Sequence, residues 1–163
     1  MDKLRTLYLN QLLDVYDAEM QQIDALSDMV SAASSVHLQQ TFSNHLDQTR
    51  QHVQRLAVIF TDLDIVPGNE TCEEMRDLLK ESEQLTHKLT LGSDEKDADL
   101  IAAARQVELY EIEAYLTLCR TADMLSETAA AEKLKTSLEE EKNMIRVLSE
   151  LAESNQTHEK SGL

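Results

Sequence analysis

The sequence predicts an all-α protein: a four-helix bundle made of two antiparallel hairpins, joined by a shorter crossover helix. Three observations carry this. The 163 residues contain one Pro and three Gly, too few to punctuate a fold with many tight turns. Aromatic residues are 4% and Trp is absent, which argues against a β-sandwich or barrel. Apolar residues recur at spacings of three and four through long stretches, the period of one helix face. At roughly 100–200 residues per domain the chain is one domain. Residues 1–155 are expected to form the bundle and 156–163 a polar tail, with fraying setting in from Ser154.

The breakers divide the chain. Pro67-Gly68 and Gly92-Ser93 are strong stops; Ser34-Ser35 and the stretch from Ser126 to Thr128 are weaker ones. The segments are then about 3–33, 36–63, 70–90, 95–126 and 128–154. The first carries the stripe Leu4, Tyr8, Leu12, Val15, Glu19, Ile23, Leu26, Val30, Ala33. The second carries Leu38, Phe42, His45, Thr49, His52, Leu56, Ile59, Leu63. The third is short, with Cys72, Met75, Leu78, Leu79, Leu85 and Leu89, and Asn69 or Thr71 is expected to cap it. The fourth, with Ser93 or Asp94 as its expected cap, carries Ile101, Ala104, Glu108, Glu111, Tyr115, Leu118, Ala122, Leu125. The fifth carries Leu134, Leu138, Glu141, Ile145, Leu148, Ala152. Short links make hairpins of segments one and two and of four and five; the third crosses between them. A constant shift of 92 residues lays the first hairpin on the second without a gap. Val15 falls on Val107, Glu19 on Glu111, Leu26 on Leu118, Leu46 on Leu138 and Leu56 on Leu148. The two hairpins therefore share a shape and register, and equivalent residues should meet near the middle of the bundle.

Charge excludes several functions. Asp plus Glu number 31 against 15 Lys plus Arg, a net charge of −16. That opposes a nucleic-acid partner and an anionic membrane surface. No apolar run approaches the ~18–20 residues that span a bilayer, and the first residues lack the apolar core of a signal peptide. Cys72 and Cys119 have no metal or redox spacing and read as reduced thiols. No nucleophile triad, Gly-rich phosphate loop or nucleotide motif is present.

The informative residues are the polar ones on apolar stripes: Glu19; His45, Thr49 and His52; Glu108 and Glu111; Glu141. A buried carboxylate costs several kcal/mol unless paired or neutralised. One answer is a metal pair, since di-iron and di-manganese bundles take Glu from two helices and a Glu/His pair from each of the other two. Oxygen and imidazole donors suit iron, manganese or zinc. Glu19 and Glu111 are the symmetric carboxylates of such a site, and His52 and Glu141 complete it. The other answer is a small rotation of each helix that leaves these acids on a solvated edge. His45 reads as a hydrogen-bonded interior histidine beside the carboxylates, and His37, His87 and His158 as surface residues.

The run from Leu13 to Glu19, the stretch His45-Leu46-Asp47-Gln48-Thr49 through Leu56, Val107-Glu108-Leu109-Tyr110-Glu111-Ile112, and Leu138-Glu139-Glu140-Glu141-Lys142 together carry a resemblance. Over nearly its whole length the chain resembles the YciF/YciE-like stress-response proteins of the ferritin-like superfamily. The resemblance implies a ferritin-like bundle, a cytoplasmic homodimer and a di-metal centre related to that of rubrerythrins. By motif position it implies Glu19, His52, Glu108, Glu111 and Glu141 as ligands, with iron or manganese as the metal. Three positions depart from the pattern. Gln48 stands where Glu is usual, Ile145 where an acid is usual, and Leu109 where His is frequent. Two functions follow: a metal-binding bundle with redox or peroxide chemistry, or a structural bundle that has lost its metal. A third is an adaptor whose acidic face binds a basic partner.

Overall fold

A computed structural model describes the backbone of residues 2–86 and 93–161, with the side chains of residues 2–86 and 94–155. The helices are α1 (Lys3–Ala32), α2 (Val36–Asp62), α3 (Glu73–Thr86), α4 (Ser93–Met124) and α5 (Thr128–Ser161). No strand occurs among the described residues. α1 pairs with α2 and α4 with α5, while α3 lies across α1 and α4, the layout the breakers predict. The fold is a ferritin-like bundle. The long helices have 30, 27, 32 and 34 residues, each about 40–50 Å at ~1.5 Å per residue.

Local chemistry sets most boundaries. The Asp2 side chain accepts from Leu4 N–H and starts α1; Ser35 accepts from Leu38 N–H and starts α2. α2 stops at Asp62, ahead of Pro67. Asp64 takes a left-handed conformation (φ 56°), and Ile65 N–H donates to Phe60 C=O. Ser126 (φ 58°) does the same after α4, where Glu127 N–H donates to Ala122 C=O. Both ends use the glycine-type stop with a short polar residue in place of glycine. That is why Pro67-Gly68 lies in the middle of the link to α3 rather than at the end of α2. α3 begins at Glu73, just after Cys72 and later than expected, so neither Asn69 nor Thr71 is its cap. α4 begins at Ser93, with Asp94 and Glu95 in its first turn where the helix dipole favours acids. α5 continues as helix to Ser161, so backbone expected to fray from Ser154 is helical up to that residue. Gly92, Leu89 and His87 lie outside the described residues, as does the His158 side chain. His37 is exposed as expected.

The apolar stripes converge into two main core layers. One packs Tyr8, Leu12, Leu56, Phe60, Leu118 and Leu134; the other packs Leu26, Leu38, Phe42, Leu100, Met144 and Leu148. A smaller layer of Ala18, Cys72, Met75 and Val107 lies under α3. Glu19, His45, His52, Glu108, Glu111 and Glu141 fall between the two main layers.

The α1–α2 turn is held from a distance. Asp97 of α4, 5% exposed, accepts from the backbone N–H of Ser34 (2.8 Å) and Ser35 (2.9 Å). Those amides are turn donors with no helix partner. Asp97→Ala is expected to cost about 1–3 kcal/mol, the desolvation cost of the stranded amides, and Asp97→Asn less. Urea unfolding followed by circular dichroism measures both.

Candidate metal centre

Each long helix delivers its polar residues by the same three-and-four spacing that delivers its apolar ones. α1 brings Glu19, α2 brings His45, Thr49 and His52, α4 brings Glu108 and Glu111, and α5 brings Glu141. None touches solvent: Glu19, His52, Glu108, Glu111 and Glu141 are 0% exposed and His45 is 1%. The solvated-edge reading is thereby excluded for all of them. The acidic run Glu139-Glu140-Glu141 divides by helix period, with Glu139 exposed, Glu140 half-buried and Glu141 in the core.

The side chains form two triads that share one residue. In the first, His52 Nδ1 lies 2.7 Å from Glu19 Oε2 and 2.8 Å from Glu141 Oε1. In the second, His45 Nε2 lies 2.8 Å from Glu108 Oε1 and 3.8 Å from Glu141 Oε2. Glu141 therefore turns one oxygen to each imidazole. Ligand atoms within each triad lie within 4.8 Å of one another. Glu111 stands beside both triads and belongs to neither. Its Oε1 accepts from Gln22 Nε2 at 2.7 Å, and the same amide donates to Glu19 Oε1 at 2.9 Å. The Tyr115 hydroxyl donates weakly to Glu19 Oε2 at 3.4 Å.

Most buried side-chain polar atoms without a hydrogen-bond partner among the described residues belong here. They include both oxygens of Glu108 and Glu141, Glu111 Oε2, both ring nitrogens of His45, Gln48 Oε1 and Gln22 Oε1. The His45–Glu108 approach is thus an ion pair without the alignment of a hydrogen bond. Carboxylate oxygens and imidazole nitrogens gathered at one point in this way could hold a cation.

Protons occupy the cluster meanwhile. Burial pushes the Glu108 and Glu111 carboxyls well above the usual range; Glu141 adds to this at Glu108, and Glu19 and Glu141 at Glu111. Burial also works against charge on the imidazoles, but neighbouring carboxylates outweigh it. Glu108 and Glu141 raise His45, and Glu141 and Glu19 lift His52 to about 10. For Glu141 burial again acts upward. The close Glu108 carboxyl and the His45 and His52 imidazoles overcome it and hold Glu141 well below the usual range. Burial and the nearby carboxylates keep the Tyr115 phenol protonated.

Sequence reasoning placed the five proposed ligands in the bundle core, and all five are there. It gave His45 only a supporting place, whereas the structure puts His45 inside the second triad. It passed over Gln22, which looks like an ordinary helix residue until its amide is seen bridging two acids. It named Gln48, Ile145 and Leu109 as the altered positions, and Leu109 is exposed. Gln48 is half-buried and Ile145 lies on the flank of α5. The 92-residue shift held a sharper signal: Thr49 falls on Glu141 and His52 on Met144. Thr49 is buried and donates to His45 C=O, and Met144 packs in the second core layer.

Comparison with known proteins identifies the family and the fold. A sequence family described as a domain of unknown function, DUF892, matches residues 3–160. The chain belongs to the DUF892 family. It is 35% identical to Protein YciF of Escherichia coli K12 over 156 residues, 95% of this chain and 93% of that one. The crystal structure of that E. coli stress protein superimposes with a TM-score of 0.91, covering 96% of this chain and 99% of the other. YcfI from Rhodopseudomonas palustris, 32% identical, gives 0.85 over 91% and 94% of the two chains. A ferritin-like, diiron-carboxylate protein from Bacillus anthracis gives 0.72 at 18% identity, over 93% and 99%; it shares the fold.

The protons make the stability of this DUF892 protein depend on pH in a stated direction. A raised histidine pKa contributes stability that is complete below ~6.5 and is lost as pH rises through the folded value. For His52 the window ends at about 10. His45, Glu108 and Glu111, all raised, add to the same alkaline loss. Glu141, lowered, loses its contribution only as pH falls below ~4.5. The melting temperature of chelator-treated protein is expected to fall steadily between pH 6.5 and 10. His52→Gln is expected to flatten that slope, as read by calorimetry.

Proposed function

We propose that this chain is a cytoplasmic, ferritin-like stress protein that holds a pair of divalent metal ions, iron or manganese, between its two core layers. The donor set carries the reading. Di-iron and di-manganese bundles use one Glu from each of two helices and a Glu-x-x-His pair from each of the other two. That makes four carboxylates and two imidazoles. Glu19, Glu108, Glu111 and Glu141 with His45 and His52 give the same total. The two motif positions read Thr49-x-x-His52 and Glu141-x-x-Met144. Glu108, one turn before Glu111, and His45, one turn before Thr49, restore the missing acid and the missing imidazole.

Glu19, His52 and Glu141 would hold one ion, and His45, Glu108 and Glu141 the other, with Glu141 shared. Glu111 stands in reserve on the Gln22 amide. His52 has the support expected of a ligand histidine, because its other nitrogen faces Glu140 at 3.1 Å. When bound, iron or manganese supplies Lewis acidity and electrons for chemistry on dioxygen or peroxide. The protein's own part is to position and exclude. Gln22 fixes one oxygen each of Glu19 and Glu111, the Tyr115 phenol keeps its proton toward Glu19, and the apolar layers keep bulk water out.

A second reading, a metal-free structural bundle, is favoured by one observation. Each imidazole already has a carboxylate neighbour, so protons alone balance part of the charge. The two readings separate in one experiment. Protein from iron- or manganese-supplemented cells is expected to carry about two metal ions per chain by plasma mass spectrometry, and Glu141→Gln fewer than one. Chelation should lower the melting temperature, as removal of any ligand specific to the folded state does. Reloading at pH 7 should release up to about four protons, from Glu108, Glu111, His45 and His52. Metal-free protein with an unchanged melting temperature in chelator would establish the structural reading instead. The homodimer that the family resemblance implies is expected to scatter light at twice the chain mass.

A further inference from the structure

The six core residues are sealed from water, so a cation must have a way in. Three further side chains come within hydrogen-bond distance of their carboxylates and imidazoles among the described residues. Gln22 and Tyr115 are themselves buried. Glu140 reaches the surface, with 26% of its side chain exposed. Its Oε1 lies 3.1 Å from His52 Nε2, while Nδ1 of the same ring lies between Glu19 and Glu141. One imidazole therefore separates a surface carboxylate from the first triad.

Glu140 already holds a cation. Arg55 Nη1 donates to Glu140 Oε1 in a very close ion pair, and it also donates to Ser137 Oγ at 3.2 Å. The guanidinium is a quarter exposed and bridges α2 to α5 at this point. Gln48, one turn before His52 on α2, leaves its Oε1 buried without a donor. It offers a neutral oxygen on the same stretch of helix. With a net charge of −16, the surface concentrates divalent cations near such a point. A bound guanidinium opposes the arrival of a second cation on the same carboxylate.

We propose that Glu140 is the surface site at which a divalent cation enters the bundle, and that Arg55 is the resident cation it displaces on the way to His52. The proposal rests on the di-metal reading, and it concerns rates rather than the final ligand set. Arg55 is a latch: removing it opens the route in both directions. Glu140 is the first ligand: neutralising it removes the landing point.

Stopped-flow absorbance with Co²⁺ alone, on full-length metal-free protein, tests this alongside equilibrium titration. In Arg55→Leu, uptake and release are both expected to accelerate by up to about fivefold, the size expected for one lost, partly exposed ion pair. The dissociation constant should stay within a few-fold. Arg55→Lys should fall between, and Glu140→Gln should slow uptake. Circular dichroism melts show that each variant is folded; if Glu140→Gln is not, the two Arg55 variants decide. Wild-type protein that binds Co²⁺ with unaltered rates in Arg55→Leu overturns the port. So does a change in affinity without a change in rates, which makes Arg55 a static part of the site. Wild-type protein that binds no Co²⁺ at equilibrium overturns the di-metal reading, and the port with it.

Discussion

Glu141 sits at the centre of the bundle with an imidazole on either side, and the arrangement around it follows from the cost of that position. A carboxylate out of reach of water needs positive charge close by. His52 supplies it to one oxygen and His45 faces the other. Those imidazoles are held in turn by Glu19 and Glu108, and each added acid needs its own compensation. Glu111 and Glu19 share the Gln22 amide. The outer nitrogen of His52 reaches Glu140, which reaches Arg55. The network thus extends from the bundle axis to solvent in one direction, through α2 and α5. The apolar layers above and below fix the four backbones that present it.

Composition and period made the fold legible, because helices of this length need few breakers and show one face each. α1, α2 and α4 lie within two residues of their expected ends, α3 begins three residues later than expected, and α5 runs longer. Asp64 and Ser126 close α2 and α4 in a conformation usually given to glycine, close to where the expected segments ended. Much of the site could be read as well, since a Glu or His on an apolar stripe is conspicuous. What could not be read was mutual geometry. Whether His45 supports a ligand or is one depends on a rotation of a few tens of degrees about α2. Gln22 carries no signal in the sequence, because an amide beside an acid is ordinary on any helix surface.

The internal repeat clarifies how this site relates to its fold class. Overlaying the hairpins puts Glu19 on Glu111, a symmetric pair, but puts Thr49 on Glu141 and His52 on Met144. Four carboxylates and two imidazoles nevertheless meet between the core layers. Belonging to the DUF892 family and sharing a fold with a diiron-carboxylate protein establish the architecture. Neither fixes which positions carry the donors, which is why the geometry of this chain has to be argued residue by residue.

The placing of these buried acids and imidazoles also bears on assembly of the chain itself. Both core imidazoles come from α2, whereas α4 and α5 contribute three carboxylates and no imidazole. The first hairpin is basic at its core and the second is acidic. Two second hairpins packed together would bury six acids with no base among them; two first hairpins would bury four imidazoles against two acids. Unlike halves place two imidazoles among four acids, so that Glu141 of one half meets both imidazoles of the other. Two hairpins similar enough in shape to pair with their own kind are thereby steered toward each other, whether or not a metal ever arrives. The same residues that make the site also tell the halves of the bundle apart while it folds.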